Sequence, residues 1–356
     1  MKPSFAAIAC WALLTGTAAQ GDTGLGRLHA FQDWVVGCDN TRQCEAQGYA
    51  AEADGVPSSE LAALIVTRSA GPRRLPRLRF AYSRFNADAV VPGPGDVVTV
   101  QAGELRFLLP PPAKGSAESA VPPQHAAALL AWLLKGDQIR LSTKSRAWSV
   151  SLAGASAALL KMDELQGRLG TPGALVRKGT RPESAVPAPV LPMVRPAPVP
   201  ITTPGDLKLE PRLRAALRAS DSACPDFEPH RALDEPVRLT PTTLLVSQPC
   251  WRGAYQTGSR LWMVDDKPPY RARPVKLPEP DGDAGDDTLV IEMISATHGR
   301  LTVREAAKER GVGDCWTGRE WTWTGKGFEL LSAWESYCKA FEAGGLPITL
   351  WRTRIR

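Results

Sequence analysis

Between Lys178 and Gly205 the chain carries eight prolines: Pro182, Pro187, Pro189, Pro192, Pro196, Pro198, Pro200 and Pro204. Proline has no amide hydrogen and fixes its own φ, so such a run cannot build a helix or a sheet. It reads as an extended, semi-rigid spacer with polyproline II character. The 356 residues then divide into an N-terminal half at 20–177, a linker at 178–205 and a C-terminal half at 206–356. Protease is expected to cut within the linker and release two stable halves. The net charge of +6 is not in the second half, where 22 basic side chains balance 22 acidic ones.

Residues 1–19 (MKPSFAAIACWALLTGTAA) read as a cleavable signal peptide. Lys2 supplies the positive start. The apolar run from Phe5 to Leu14 is too short to span a bilayer, and small residues end at Ala19. Cys10 as a lipid anchor fits poorly, because Ala7 stands where a leucine is usual and the apolar run continues past it. No other apolar run reaches 18 residues, so the mature chain is expected to be soluble and periplasmic, with secretion beyond the cell as the variant reading.

Six cysteines remain: Cys38, Cys44, Cys224, Cys250, Cys315 and Cys338. An even number in an exported chain implies disulfides. The linker separates the first two from the other four, and the simplest pairing is sequential: 38–44, 224–250 and 315–338. The two longer loops would each contribute ~2–4 kcal/mol by restricting the unfolded chain. A hairpin turning at GKG (325–327) brings Cys315 toward Cys338, with a one-residue bulge to absorb the register.

The fold class expected from local pattern is α+β, with a mixed N-terminal half and a mostly antiparallel β C-terminal half. FQDWVVGC (31–38) and LAALIVTR (61–68) read as strands. Residues 97–100 and 105–109 form a hairpin around Gly103. A helix opens at Pro123, and a second hairpin covers 138–143 and 148–152. A second helix spans 154–169, with Ala158, Leu159, Met162 and Leu165 inward and Asp163, Glu164 and Arg168 outward. Beyond a short helix at 211–219, strands are expected at 243–246, 260–264, 288–294, 301–305, 321–324 and 328–332.

Several motifs together resemble a known family. Phe31, Asp33, Trp34, Val36, Cys38, Asp39, Asn40, Arg42, Cys44, Ala46 and Gly48 form FxDWxVxCDNxRxCxAxG. SLAGASAALLKMDELQGRLGTPGALVRKG, PCWRGAYQTGS and RGVGDCWTGREWTWTGKGFEL follow, and then the Cys338 segment. The set is similar to the bacterial family called domain of unknown function 1176. The resemblance implies an exported six-cysteine protein of about this length. One position departs from the family pattern: Trp316 stands where a glycine follows the DC pair. The N-terminal half also resembles invasion-associated locus B proteins, through DWxVxC and VTRSAG.

Catalytic templates are absent from the sequence. There is no G-x-S-x-G, no P-loop, no H-E-x-x-H and no dinucleotide fingerprint, so no cofactor is expected. His29, His125, His230 and His298 are not spaced as metal pairs. In DGDAGDDTLVIE, Asp281, Asp283 and Glu292 match positions 1, 3 and 12 of a calcium loop, but Gly285 and Asp286 invert the required order. A solvated acidic turn is the default reading there. Seven of the ten mature tryptophans lie in the C-terminal half: Trp251, Trp262, Trp316, Trp321, Trp323, Trp334 and Trp351. Most are needed as core in a small domain. Trp316, Trp321 and Trp323, with Asp314, are the ligand-binding candidates. Arg68, Arg73, Arg74, Arg77, Arg79 and Arg84 form a cluster suited to anionic oxygens, or a solvated loop.

The expected function is therefore a non-catalytic envelope module whose partner is a protein or a glycan, not nucleic acid. The competing expectation is an envelope enzyme using carboxylates such as Asp314 or Glu320 on glycan or peptide. A buried carboxylate in a tryptophan-lined cleft would favour the enzyme.

Overall fold

A computed structural model describes residues 23–51, 61–82, 92, 96–114, 116–218, 224, 233–282, 288–339 and 345–356. Residues 1–19, expected as a signal peptide, and Arg84, His230, Asp283, Gly285 and Asp286 lie outside the described residues.

Antiparallel sheets dominate. A six-stranded sheet runs, in spatial order, Leu28–Phe31, Trp34–Cys38, Cys44–Gly48, Ala62–Arg68, Arg77–Tyr82 and Glu118–Ala120. A four-stranded sheet orders Ala147–Ser151, Gln138–Ser142, Val98–Ala102 and Leu105–Leu109. In the C-terminal half a four-stranded sheet holds Val237–Thr240, Thr243–Arg252, Thr257–Asp265 and Ala272–Pro274. A five-stranded meander holds Ile291–Thr297, Arg300–Lys308, Trp316–Trp323, Phe328–Ser336 and Pro347–Arg352.

The class is thus mainly β, and the α+β expectation overweighted the helices. Those of the N-terminal half, Pro123–Leu133 and Ala155–Leu165, have 11 residues each. CEAQG is rich in residues depleted from strands, and RLRFAY has its aromatics broken up by two arginines and an alanine, so local pattern marked neither as a strand. The expected strand at 31–38 is really two. A two-residue turn with Gln32 at φ 53° pairs Phe31 with Trp34. Gly154 starts the second helix at φ 93°, where a Cβ would lie 1.8 Å from the Phe31 carbonyl oxygen, so only glycine fits.

The runs WVV and AALIV do not alternate, and the structure explains why. One face of the six-stranded sheet, with Trp34, Val36, Leu64, Val66 and Phe80, packs on the Ala155–Leu165 helix and the neighbouring sheet. The other face, with Val35, Ala63, Ile65 and Ala81, shares a core with Leu245, Leu261, Val303, Trp321 and Leu350 of the C-terminal half. A strand buried on both faces reads as a continuous apolar run. The two halves therefore share one core. Gly37 permits the approach: a Cβ there would meet Ile348 at 2.8 Å.

The proline-rich segment is packed, contrary to the simplest expectation. Met193–Val194 pairs in parallel with Arg354–Ile355. Ala197 N–H donates to the Trp323 carbonyl at 2.9 Å, and Val199 N–H to that of Gly299 at 2.8 Å. Val186, Val194 and Val199 are buried. The residues between prolines keep their amide hydrogens, so short bridges form although no continuous ladder can.

The disulfides are Cys38–Cys44, Cys224–Cys250 and Cys315–Cys338. The third closes the expected hairpin. Trp323 faces Phe328, and the register shifts between Glu320 and Trp321, which is the bulge the spacing requires.

Candidate functional site

The FxDWxVxCDNxR segment builds scaffold. Asp39 is fully buried and accepts from Thr41 N (2.9 Å), Thr41 Oγ1 (2.7 Å) and Gln43 N (3.0 Å). Its second oxygen pairs with Arg352 Nε at 2.6 Å. Asn40 exchanges two hydrogen bonds with the Arg352 backbone, at 3.0 and 2.8 Å. Trp34 lies over its cross-strand partner Gly48, as Trp251 does over Gly258 and Trp334 over Gly318. In each pair the missing side chain makes room for the ring.

A second cluster is also closed. Arg68 and Asp163 form an ion pair at 3.3 Å, both buried. Arg68 donates to the carbonyls of Arg74 (2.8 Å) and Gly173 (2.7 Å). Asp163 accepts from Leu175 N (2.7 Å) and Val176 N (3.0 Å). Arg168 is fully buried and lies 3.7 Å from Glu183. Asp163 and Arg168 were expected outside and lie inside, because the segment 171–183 folds back over the helix end and supplies their partners. Only Glu164 of that trio faces solvent. Burial pushes the Asp163 carboxyl above its usual range against the pull of these partners, and lowers Arg68 to about 10.

An open arrangement lies between the two C-terminal sheets. On the Trp316–Trp323 strand, Thr317, Arg319, Trp321 and Trp323 share one face. The end with Trp321 and Trp323 enters the shared core, while the Thr317–Arg319 end lines a cleft of about 580 Å³. Leu301 and Val303 likewise give way to Glu305 and Ala307 on the adjacent strand, where Glu305 faces Arg319 in register. Arg319 sits between Glu279 (2.6 Å) and Glu305 (2.8 Å). Glu309 accepts from Thr317 Oγ1 at 2.5 Å. Trp251, Asp281 and Lys308 also line the cleft, with Gln256 and Thr288. At the cleft edge the Lys308 ammonium lies 5.1 Å from the Tyr255 ring centre and 5.4 Å from that of Trp316.

The electrostatics follow from burial. Desolvation raises the carboxyls of Glu279 and Glu305, opposed by Arg319. It raises Glu335 as well, reinforced by Glu309. Burial alone would lower Arg319, but Glu279 and Glu305 outweigh it and hold the guanidinium charged. Four carboxylates (Glu279, Asp281, Glu305 and Glu309) line this cleft with the cations Lys308 and Arg319, and Arg27 pairs with Asp281.

The sequence-based candidates are placed differently. Trp321 is fully buried and donates to the Pro278 carbonyl at 2.8 Å. Trp323 is buried against Phe328, with ring centres 5.4 Å apart. Asp314 is fully buried and takes Arg310 Nε at 2.7 Å. Trp316 alone of the four is partly open, with its ring N–H on the Gly313 carbonyl at 3.0 Å. Glu320 lies on the opposite strand face from Arg319, and neither it nor Asp314 lines the cleft. Asp281 lines the cleft and pairs with Arg27 at 3.6 Å, whereas Glu292 pairs with Arg304 at 3.8 Å. Among the described residues no group of three or more ligating side chains is placed to hold a metal. His29 bonds the Gly24 carbonyl, His125 stacks on Phe107, and His298 sits in a hairpin turn at φ 52°. In the arginine cluster Arg68 is buried, while Arg73, Arg74 and Arg77 are exposed. Sequence reasoning missed Glu279, Glu305, Glu309 and Arg319. The available signal was even spacing: Glu305 follows Leu301 and Val303, and Arg319 precedes Trp321 and Trp323.

The crystal structure of invasion associated protein B from Bartonella henselae aligns with a TM-score of 0.29 and 12% identity, covering 40% of this chain and 99% of that one. The uncharacterised protein YpfG of Escherichia coli K12 is 30% identical over 335 residues, covering 91% of this chain and 92% of its own length. The model of the family described as "Protein of unknown function (DUF1176)" matches residues 28–354, and the chain belongs to that family.

Proposed function

We propose that this is an exported periplasmic protein that binds an envelope glycan carrying free amino groups, and that its site is the acid-lined cleft between the C-terminal sheets. The observation that carries the reading is the cleft itself: Trp251 offers a flat ring beside Glu279, Asp281, Glu305 and Glu309. A half-exposed indole stacks on sugar rings at small entropic cost. Carboxylates in excess over cations attract protonated amines. Export is supported by three disulfides, which persist in oxidising compartments, and by the 1–19 leader. Among the described residues no helix is long and apolar enough to cross a membrane.

A catalytic reading has one observation in its favour. Glu279 and Glu305 share the cleft with a tryptophan, and burial raises both. Glycoside hydrolysis needs such a pair. Arg319 bonded to both carboxylates argues for binding instead, because it occupies the space between acid and base.

Calorimetry with a glucosamine tetramer, at a pH where its amines are protonated, tests the proposal. The fully N-acetylated tetramer is the control. Binding of the amino form alone is the expected result. Equal binding of both forms, or of neither, would overturn the assignment. Release of new reducing ends would move the assignment to the enzyme.

A further inference from the structure

The N-terminal half carries a second groove, of about 630 Å³, that the proposed glycan site does not use. One wall is the helix Pro123–Leu133, which contains no charged residue. Its inner face buries Leu129 and Leu133. Its outer side leaves Ala127, Ala131 and Leu134 exposed and Leu130 half-exposed. A helix that faces water normally carries charge on that side. Opposite stands Leu75, 84% exposed on the loop between the Ala62–Arg68 and Arg77–Tyr82 strands. Leu175 and Val176 add further apolar lining.

The charge on this groove is one-sided. Arg73, Arg74 and Lys178 line it and are exposed, and their side chains make no ion pair among the described residues. The remaining charges are already matched. Arg68 is taken by Asp163, and Glu183 accepts from Gly173 N at 2.7 Å and Arg73 N at 3.2 Å beside Arg168. An apolar trough bordered by uncompensated cations is complementary to a molecule with an apolar tail and an anionic head.

We propose that this groove binds a fatty acyl chain bearing an anionic head group, with the tail against Leu75, Leu130, Ala131 and Leu134 and the head at Arg73, Arg74 and Lys178. The volume falls within the range of small-ligand sites, about 300–1,000 Å³. Burial of one more methylene should tighten binding about fourfold until the trough is full.

The test uses the full mature protein with decanoate, dodecanoate and tetradecanoate below their micelle concentrations, read by calorimetry and native mass spectrometry. Dodecyltrimethylammonium is the charge-reversed control. The expected results are one-to-one binding, tightening with chain length, and much weaker binding of the ammonium compound. The double substitution R73E/R74E should weaken dodecanoate by on the order of tenfold or more. A131W fills the trough from an exposed position and should abolish uptake, with near-ultraviolet circular dichroism reporting the fold. No binding of any carboxylate, equal binding of the ammonium compound, or affinity unchanged in folded A131W would each overturn the proposal.

Discussion

Two clusters of buried guanidinium and carboxylate groups sit in the two halves of this protein, and they do opposite things. Around Arg68 and Asp163 the backbone completes the set: two carbonyls take the guanidinium and two amides take the carboxylate. Around Arg319 the partners are side chains, Glu279 and Glu305, and the cluster opens on a cleft with further acids. Buried charge alone does not mark a site. What separates scaffold from proposed site here is whether the backbone satisfies the charges and whether an open volume meets an imbalance of sign.

The largest effect should come from breaking the closed cluster. Asp163→Ala strands Arg68 in the interior and should cost ~3–5 kcal/mol, read by urea unfolding. Glu305→Gln keeps a polar partner for Arg319 and should cost far less. Equal losses for both substitutions would erase the distinction.

Next is the disulfide at the other end of the chain. Cys315→Ser opens a loop of sequence separation 23 and should cost about 3 kcal/mol. Because Ile65 and Val35 share a core with Val303 and Trp321, probes in both halves should report one lowered transition. A C-terminal loss with the N-terminal half untouched would mean that the halves are independent. The converse substitution, Ile65→Val, should cost ~1 kcal/mol and again move both probes together. A nick between 178 and 205 should leave the fragments associated on size-exclusion chromatography.

The smallest effect is on pH dependence. Glu279, Glu305 and Glu335 titrate above their ordinary range in the folded state. They bind protons more readily folded than unfolded. Their contribution is therefore full below the unfolded value of about 4.3 and is lost as pH rises through the raised folded values. Glu305→Gln should flatten that fall in stability measured from acid toward neutral pH, and an unchanged slope would remove the burial argument. Asp206 runs the other way: its hydrogen bonds to Arg238 hold it low, so its contribution is lost as pH falls.

Much of the scaffold was legible because it is local. The hairpin at GKG needs only turn chemistry and strand length, and it brings Cys315 to Cys338. The double-sided burial of Ala62–Arg68 was written in AALIV, although an unbroken apolar run does not say what covers its second face. The cleft was not legible, because Glu279 lies on a loop, Glu305 and Glu309 on one strand and its end, and Arg319 on the next strand, so they meet only once the strands pair and the loop packs over them. Asp163 and Arg168 were misplaced for a related reason. Helical periodicity separates apolar from polar positions, but it cannot show that residues 171–183 return to cover the polar ones. Trp321 and Trp323 do share a strand face, as spacing requires, and that face is interior at their end and open at Arg319.

The most direct test of the contrast is the affinity for the protonated glucosamine tetramer of wild type, Glu309→Gln and Asp163→Asn, with melting temperature recorded for each. Glu309→Gln should weaken binding by on the order of tenfold at nearly unchanged melting temperature. Asp163→Asn should lower the melting temperature and leave the affinity of the folded protein alone. Binding lost with Asp163→Asn and kept with Glu309→Gln would contradict the assignment of scaffold and site.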